Sequence, residues 1–252
     1  MTCAGMMLSI NSVAISNSSA VIRHEFRKLR FRMIDDTNWS GVLILPMKPC
    51  LTSAMGNALL DVDFTFPRSY DIEEVREFPG SGKFDVPVFY IPRPKNRPEH
   101  DGLWLKIRPQ TGKSWIGVFA FGYGITRVLS SLDPHCACVI STGAAYLVNS
   151  EQPEICEALR ISAVLDARSV AEHQLLLLAH FTSLVAYGRS GLVWKTPRLC
   201  WDELKILKIT HDTVEGIGYD AINQGESRFA VDIRTGRSLL PSPTSTDGIP
   251  LW

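Results

Sequence analysis

From residue 103 to residue 237 the chain is a succession of short apolar or alternating runs, each cut from the next by turn-forming residues. Period-two alternation marks strands, because successive side chains leave an extended backbone on opposite faces. Residues 102–108 and 115–121 flank Pro109-Gln110-Thr111-Gly112-Lys113, which predicts a hairpin. Runs at 138–141 and 144–149 are separated only by Thr142-Gly143. Four more runs follow at 164–169, 174–180, 183–187 and 192–195, with Gly188-Arg189-Ser190-Gly191 as strong turn chemistry between the last two. Runs at 205–210, 213–219 and 228–233 complete the series, and His211-Asp212 and Arg234-Thr235-Gly236 supply turns. Residues 155–159, led by Glu151 and Glu154, read as a short helix. The predicted class is mainly β: an antiparallel meander forming a sandwich, a barrel or a partial propeller, with few short helices.

The chain before residue 102 is less regular. Residues 27–34 alternate basic and apolar side chains, 35–41 are turn formers and 41–46 are apolar, which predicts a hairpin. Residues 51–60 are a modest helix candidate weakened by Gly56. Val62, Phe64 and Phe66 alternate with Asp61, Asp63 and Thr65, so 60–66 reads as a half-buried strand with its acids outward. Between 67 and 101 the acids, glycines and prolines mark loops, and only 86–91 is strand-like. Pro92, Pro94 and Pro98 exclude helix and central strand there. The expected organisation is a flexible tail at 1–22, a β-rich subdomain at 23–91, a proline-rich loop at 92–101, the antiparallel region at 102–237 and a disordered tail at 238–252. Residues 138–149 are also echoed by 176–187 at an offset of about 38, a period comparable to that of propeller blades.

Charge narrows the partners. Twenty-six basic and twenty-six acidic residues cancel, so the positive excess that drives general nucleic-acid binding is missing. One basic cluster, Arg23, Arg27, Lys28, Arg30 and Arg32, alternates with Phe26, Leu29 and Phe31 and reads as the polar face of a strand. No apolar run approaches the ~20 residues that span a bilayer. Residues 1–20 hold no Lys or Arg and fit a secretory signal poorly. Of the six cysteines, only Cys136 and Cys138 are close in sequence, and their spacing matches no zinc pair. They read as buried free thiols of a reducing compartment, so the expected location is cytoplasmic, with no cofactor and no membrane.

Chemical motifs are sparse. Gly80-Ser81-Gly82-Lys83 lacks the early glycine, the hydroxyl residue and the following helix of a phosphate loop. Gly122-Tyr123-Gly124 and Gly216-Ile217-Gly218-Tyr219 sit between strands, where glycine marks close backbone approach and an exposed tyrosine can anchor a partner. No two of the six histidines have a helical metal spacing, and no Gly-x-Ser-x-Gly elbow is present. Residues able to meet only by folding are Asp133, His135, His180, His211 and Asp212.

Two resemblances follow from the residues. Gly191-Leu192-Val193-Trp194-Lys195 resembles the blade signature of quinoprotein-type β-propellers, over one or two blades at most, and carries no cofactor residue across. The order of 115–124, Gly143-Ala144-Ala145-Tyr146, 184–188, 198–202, 216–220 and 229–236 is similar to a family of uncharacterised bacterial proteins, over roughly 26–236. That likeness implies a bacterial, intracellular protein and no mechanism. The leading expectation is a non-enzymatic module that binds another protein, as an inhibitor or defence accessory, through Tyr123, Tyr219, Arg93 and Arg97. The alternatives are a hydrolase or metal-dependent enzyme built on the five His and Asp candidates, and a small-ligand binder.

Overall fold

Leu175–Ala179 is apolar at every position and buried at every position, which requires cover on both faces of its strand. A stack of sheets provides it. The computed structural model describes residues 26–30, 42–46, 60–80, 82–93, 99–161 and 163–240. The chain divides into two units, Met1–Ala58 and Leu59–Trp252. In the first, β1 (Phe26–Arg30) and β2 (Val42–Pro46) pair antiparallel, as the alternation predicts. The expected helix at 51–60 lies, but for Leu60, outside the described residues, as does the tail at 1–22; of the tail expected at 238–252 only 238–240 is described, and there Ser238 bridges to Val231.

The second unit begins with β3 (Val62–Asp63), β4 (Tyr70–Glu74) and β5 (Val88–Ile91), followed by β6 (Gly102–Pro109) and β7 (Trp115–Ala120). Strands β4, β6, β7 and β5, in that order, form the first sheet. The second sheet is built from β8 (Arg127–Ser130), β9 (Cys136–Ser141), β10 (Ala144–Asn149) and β11 (Cys156–Ala158), with β3 added parallel to β8. The third sheet is a plain meander of β12 (Asp166–Val170), β13 (Leu175–Ala179), β14 (Leu184–Gly188) and β15 (Gly191–Lys195). The fourth is β16 (Asp202–Ile209), β17 (Thr213–Asp220) and β18 (Gly225–Asp232). None of these sheets closes into a barrel, and no helix occurs among the described residues.

Three apolar clusters hold the sheets face to face in chain order. Leu105, Phe119, Val139 and Val148 join the first sheet to the second. Leu129, Ile140, Leu176 and Leu178 join the second to the third. Leu177, Leu184, Trp194, Val214, Phe229 and Ile233 join the third to the fourth. Alternate residues of β13 thus face opposite clusters, which is why its sequence shows no polar position. Each fully buried side chain of this kind contributes about 1.5–3 kcal/mol of burial free energy.

Two sequence expectations need correction. Residues 155–159 are not helical; Cys156–Ala158 is a strand whose backbone satisfies the open edge of β10, with Tyr146 opposite Ala158. Residues 70–74, expected as loop, form β4: Tyr70 and Ile72 point into the core while Asp71 and Glu73 face out, and Glu73 pairs with Arg108 on β6. The acid count there hid a period-two pattern. The proline-rich stretch at 92–101 links β5 to β6 of a single sheet.

Candidate functional site

The opening strands of three successive sheets run side by side in one direction. Arg127, at the start of β8, donates to the carbonyl of Ala167 near the start of β12 (2.7 Å), and Asp63, beside β8, accepts from the Ser169 amide (3.3 Å). Asp166 at the start of β12 accepts from the Ile206 amide of β16 (3.3 Å). The turns after β8, β12 and β16 therefore share one end of the stack. Each holds a histidine, and His135, His173 and His211 recur at intervals of 38 residues.

The last two of these meet. The His173 and His211 rings lie 5.5 Å apart, and His173 Nε2 donates to the His211 carbonyl at 2.6 Å. Glu172 contacts His211 Nδ1, while His211 Nε2 faces Arg234 Nη2 (3.3 Å) and Asp212 Oδ1 (3.8 Å). Arg234 comes from the turn after β18, whose Asp232 carboxylate accepts from the Thr235 amide and hydroxyl and the Arg234 amide; those bonds, the hydroxyl's first, hold it below its usual range. The arrangement can bind an ion or relay a proton between sheets. Glu172, His173 and Arg234 escape a reading by sequence proximity, although the 38-residue recurrence of histidine was a usable signal for His173.

The five His and Asp candidates do not form one centre. Asp133 and His135 sit together in the turn after β8, where Asp133 accepts from the His135 amide (2.9 Å) and the His135 ring meets Ser69 (3.0 Å) and Glu151 (3.4 Å). His211 and Asp212 occupy the next-but-one turn of that end. His180 follows the opposite end of β13 from His173, about 20 Å away at the rise of a strand. There its Nε2 lies 2.5 Å from Ser183 Oγ, and its amide donates to the Ser183 carbonyl. A nucleophile needs access to substrate. Ser183 is only 3% exposed, so the pair closes the β13–β14 turn. Burial first, then Lys195, holds the His180 imidazole below its ordinary value.

The glycine-flanked tyrosines are surface groups on tightly packed backbone. A Cβ on Gly124 (φ +141°) would stand 2.0 Å from the Val164 carbonyl oxygen, and one on Gly143 (φ +83°) would stand 1.9 Å from that of Tyr123. Tyr123, held by this crossing, stacks on Phe181 with ring centres 5.7 Å apart. Gly216 and Gly218 let β17 lie against Phe229 and Cys200. Tyr219 faces outward on the fourth sheet, beside Glu226 of β18. Lys205, Ile217 and Arg228 form the next cross-strand row, and Leu207 is 64% exposed at a register break in β16. The outer face of this sheet is thus apolar and charged by turns, while its inner face is buried in the core.

Arg93 is exposed just after β5, and Arg97 lies outside the described residues. On the outer face of the first sheet, Trp104 gathers Phe78, Phe84 and Tyr90 at ring separations of 4.9–6.2 Å. Beside them an open groove of about 630 Å³ is lined by both signs of charge, among them Glu73, Glu77, Arg76 and Lys106. Cys136, Cys138, Cys156 and Cys200 are free thiols. No helix among the described residues is long and apolar enough to cross a membrane. Compared with protein-family models and with curated proteins, the chain matches none.

Proposed function

We propose that this protein is a non-enzymatic binding module of the bacterial cytoplasm that engages another protein through the outer face of its fourth sheet. The observation that carries the reading is the exposure of Leu207 and Tyr219 beside the half-buried Ile217 on one sheet face, bordered by Lys205, Glu215, Glu226 and Arg228. A sheet face that needed only water would carry polar groups at those three positions. Aromatic and aliphatic anchors ringed by charges are the composition of an interface centre and its rim. The four free thiols among the described residues accord with a reducing compartment. Both balanced charge and the dispersal of the His and Asp candidates favour binding over catalysis.

The test is affinity capture from native bacterial lysate by the full chain and by a Leu207→Glu/Tyr219→Ala double variant. The expected result is a stoichiometric partner held by the wild type and lost by the variant, with melting temperatures within a few degrees of each other. A partner retained equally by the double variant, or repeated recovery of none, overturns the reading.

A further inference from the structure

We infer that Glu172, His173 and His211 form a binding site for a divalent transition ion of the zinc class, which joins the turn after β12 to the turn after β16. The three side chains each offer a ligand atom, and these atoms lie within 4.8 Å of one another. Two imidazoles and one carboxylate are the donor set that zinc takes when a fourth position is left to water. Metal–ligand distances near 2.1 Å place neighbouring ligand atoms about 3.4 Å apart in a tetrahedron. The closure needed is of order 1 Å, within reach of side chains on exposed turns.

The surroundings supply the outer contacts that such sites use. The His173 Nε2–H is committed to the His211 carbonyl, so a neutral His173 keeps Nδ1 as its lone-pair nitrogen. His211 Nδ1 and Glu172 already face each other, so an ion seated between them can bind both. His211 would then carry its hydrogen on Nε2, and a rotation away from Arg234 Nη2 (3.3 Å) towards Asp212 Oδ1 (3.8 Å) would bring that carboxylate into hydrogen-bond range. Arg234, whose Nη2 lies 3.3 Å from His211 Nε2, opposes a cation, but it is exposed and also lies 3.7 Å from Asp212, and the two carboxylates of the turns outnumber it. Imidazole and carboxylate donors together favour zinc over magnesium or calcium. The equivalent turn after β8 does not reproduce the set, because His135 meets Ser69 and Glu151 rather than a second imidazole.

The test is calorimetric titration of the full chain with zinc chloride, alongside melting with and without zinc and after addition of EDTA. The expected outcome is one high-affinity zinc per chain and a rise in melting temperature that EDTA reverses. The His173→Ala/His211→Ala variant, altered only in turns outside the apolar clusters, should keep the zinc-free melting temperature within a few degrees and lose both effects. Asp212→Asn should weaken binding by about 10–100-fold, Arg234→Ala should tighten it, and His135→Ala should leave it unchanged. No zinc bound at 100 μM free metal (a concentration of order 10⁻⁴ M, well above the range of built sites) would overturn the site. So would undiminished binding by the double histidine variant, which would assign the zinc to the cysteines or His135.

Discussion

Trp194 is the side chain whose loss should most directly report the contact between the third and fourth sheets. It sits on β15, is 7% exposed, and donates its indole N–H to the Ile233 carbonyl beyond β18 at 3.0 Å. Gly236 rests against its six-membered ring, where a Cβ would stand 2.6 Å from Cε3. Trp194→Phe keeps an aromatic ring but leaves the Ile233 carbonyl buried without that donor. An unsatisfied buried acceptor costs about 1–3 kcal/mol, and the space left by the missing ring atoms adds about 1 kcal/mol. The sum, about 2–4 kcal/mol, is a large share of the 5–15 kcal/mol typical of a folded domain. Urea unfolding followed by far-ultraviolet circular dichroism should show the unfolding free energy fall by that amount, as a lower midpoint with the slope unchanged. A loss under about 0.5 kcal/mol, the range of an ordinary surface substitution, would refute the reasoning: Ile233 would have another donor, or β15 would not be pinned to the fourth sheet.

Gly143→Ala should destabilise by more than 2 kcal/mol, roughly the sum of a left-handed backbone penalty of 1–2 kcal/mol and the collision with the Tyr123 carbonyl; equilibrium unfolding checks it, and a neutral result would mean the crossing at 122–124 is loose. His180 favours its neutral form in the fold, so its contribution is present above about pH 6.5, the unfolded value. It is lost as pH falls towards the lower folded value. His180→Gln should flatten the stability–pH curve over that window, and an unchanged slope would show that His180 does not titrate with folding. Burial pushes the Cys138 and Cys200 thiols up to about 12, so neither should be alkylated by iodoacetamide at pH 8 until the chain unfolds; peptide mapping that finds either modified in the native state contradicts the packing.

Strand identity was written in local patterning wherever one face is wet. The β16–β17–β18 series and the Thr142-Gly143 turn follow from alternation and from turn residues that adopt positive φ, here +45° and +83°. Local patterning misled at β4, where acids on the outer face of a half-buried strand resemble a loop, and at β11, whose strand conformation is supplied by the open edge of β10. Tyr123 and Tyr219 were legible as surface groups because a neighbouring glycine marks close backbone approach on one side and leaves the tyrosine ring on the other.

What the sequence determined by itself was a chain of β-hairpins with balanced charge and no contiguous catalytic motif, because those properties depend on neighbours a few residues apart. Only the tertiary structure decided that the hairpins stack as successive sheets, that His180 stands at one end and His211 at the other, and that Glu172 and His173 meet His211 across 38 residues. The histidine recurrence was present in the sequence throughout. Its meaning required knowing that each histidine opens onto the second strand of its own sheet, and that depends on strand pairing and face-to-face burial, which no local pattern encodes.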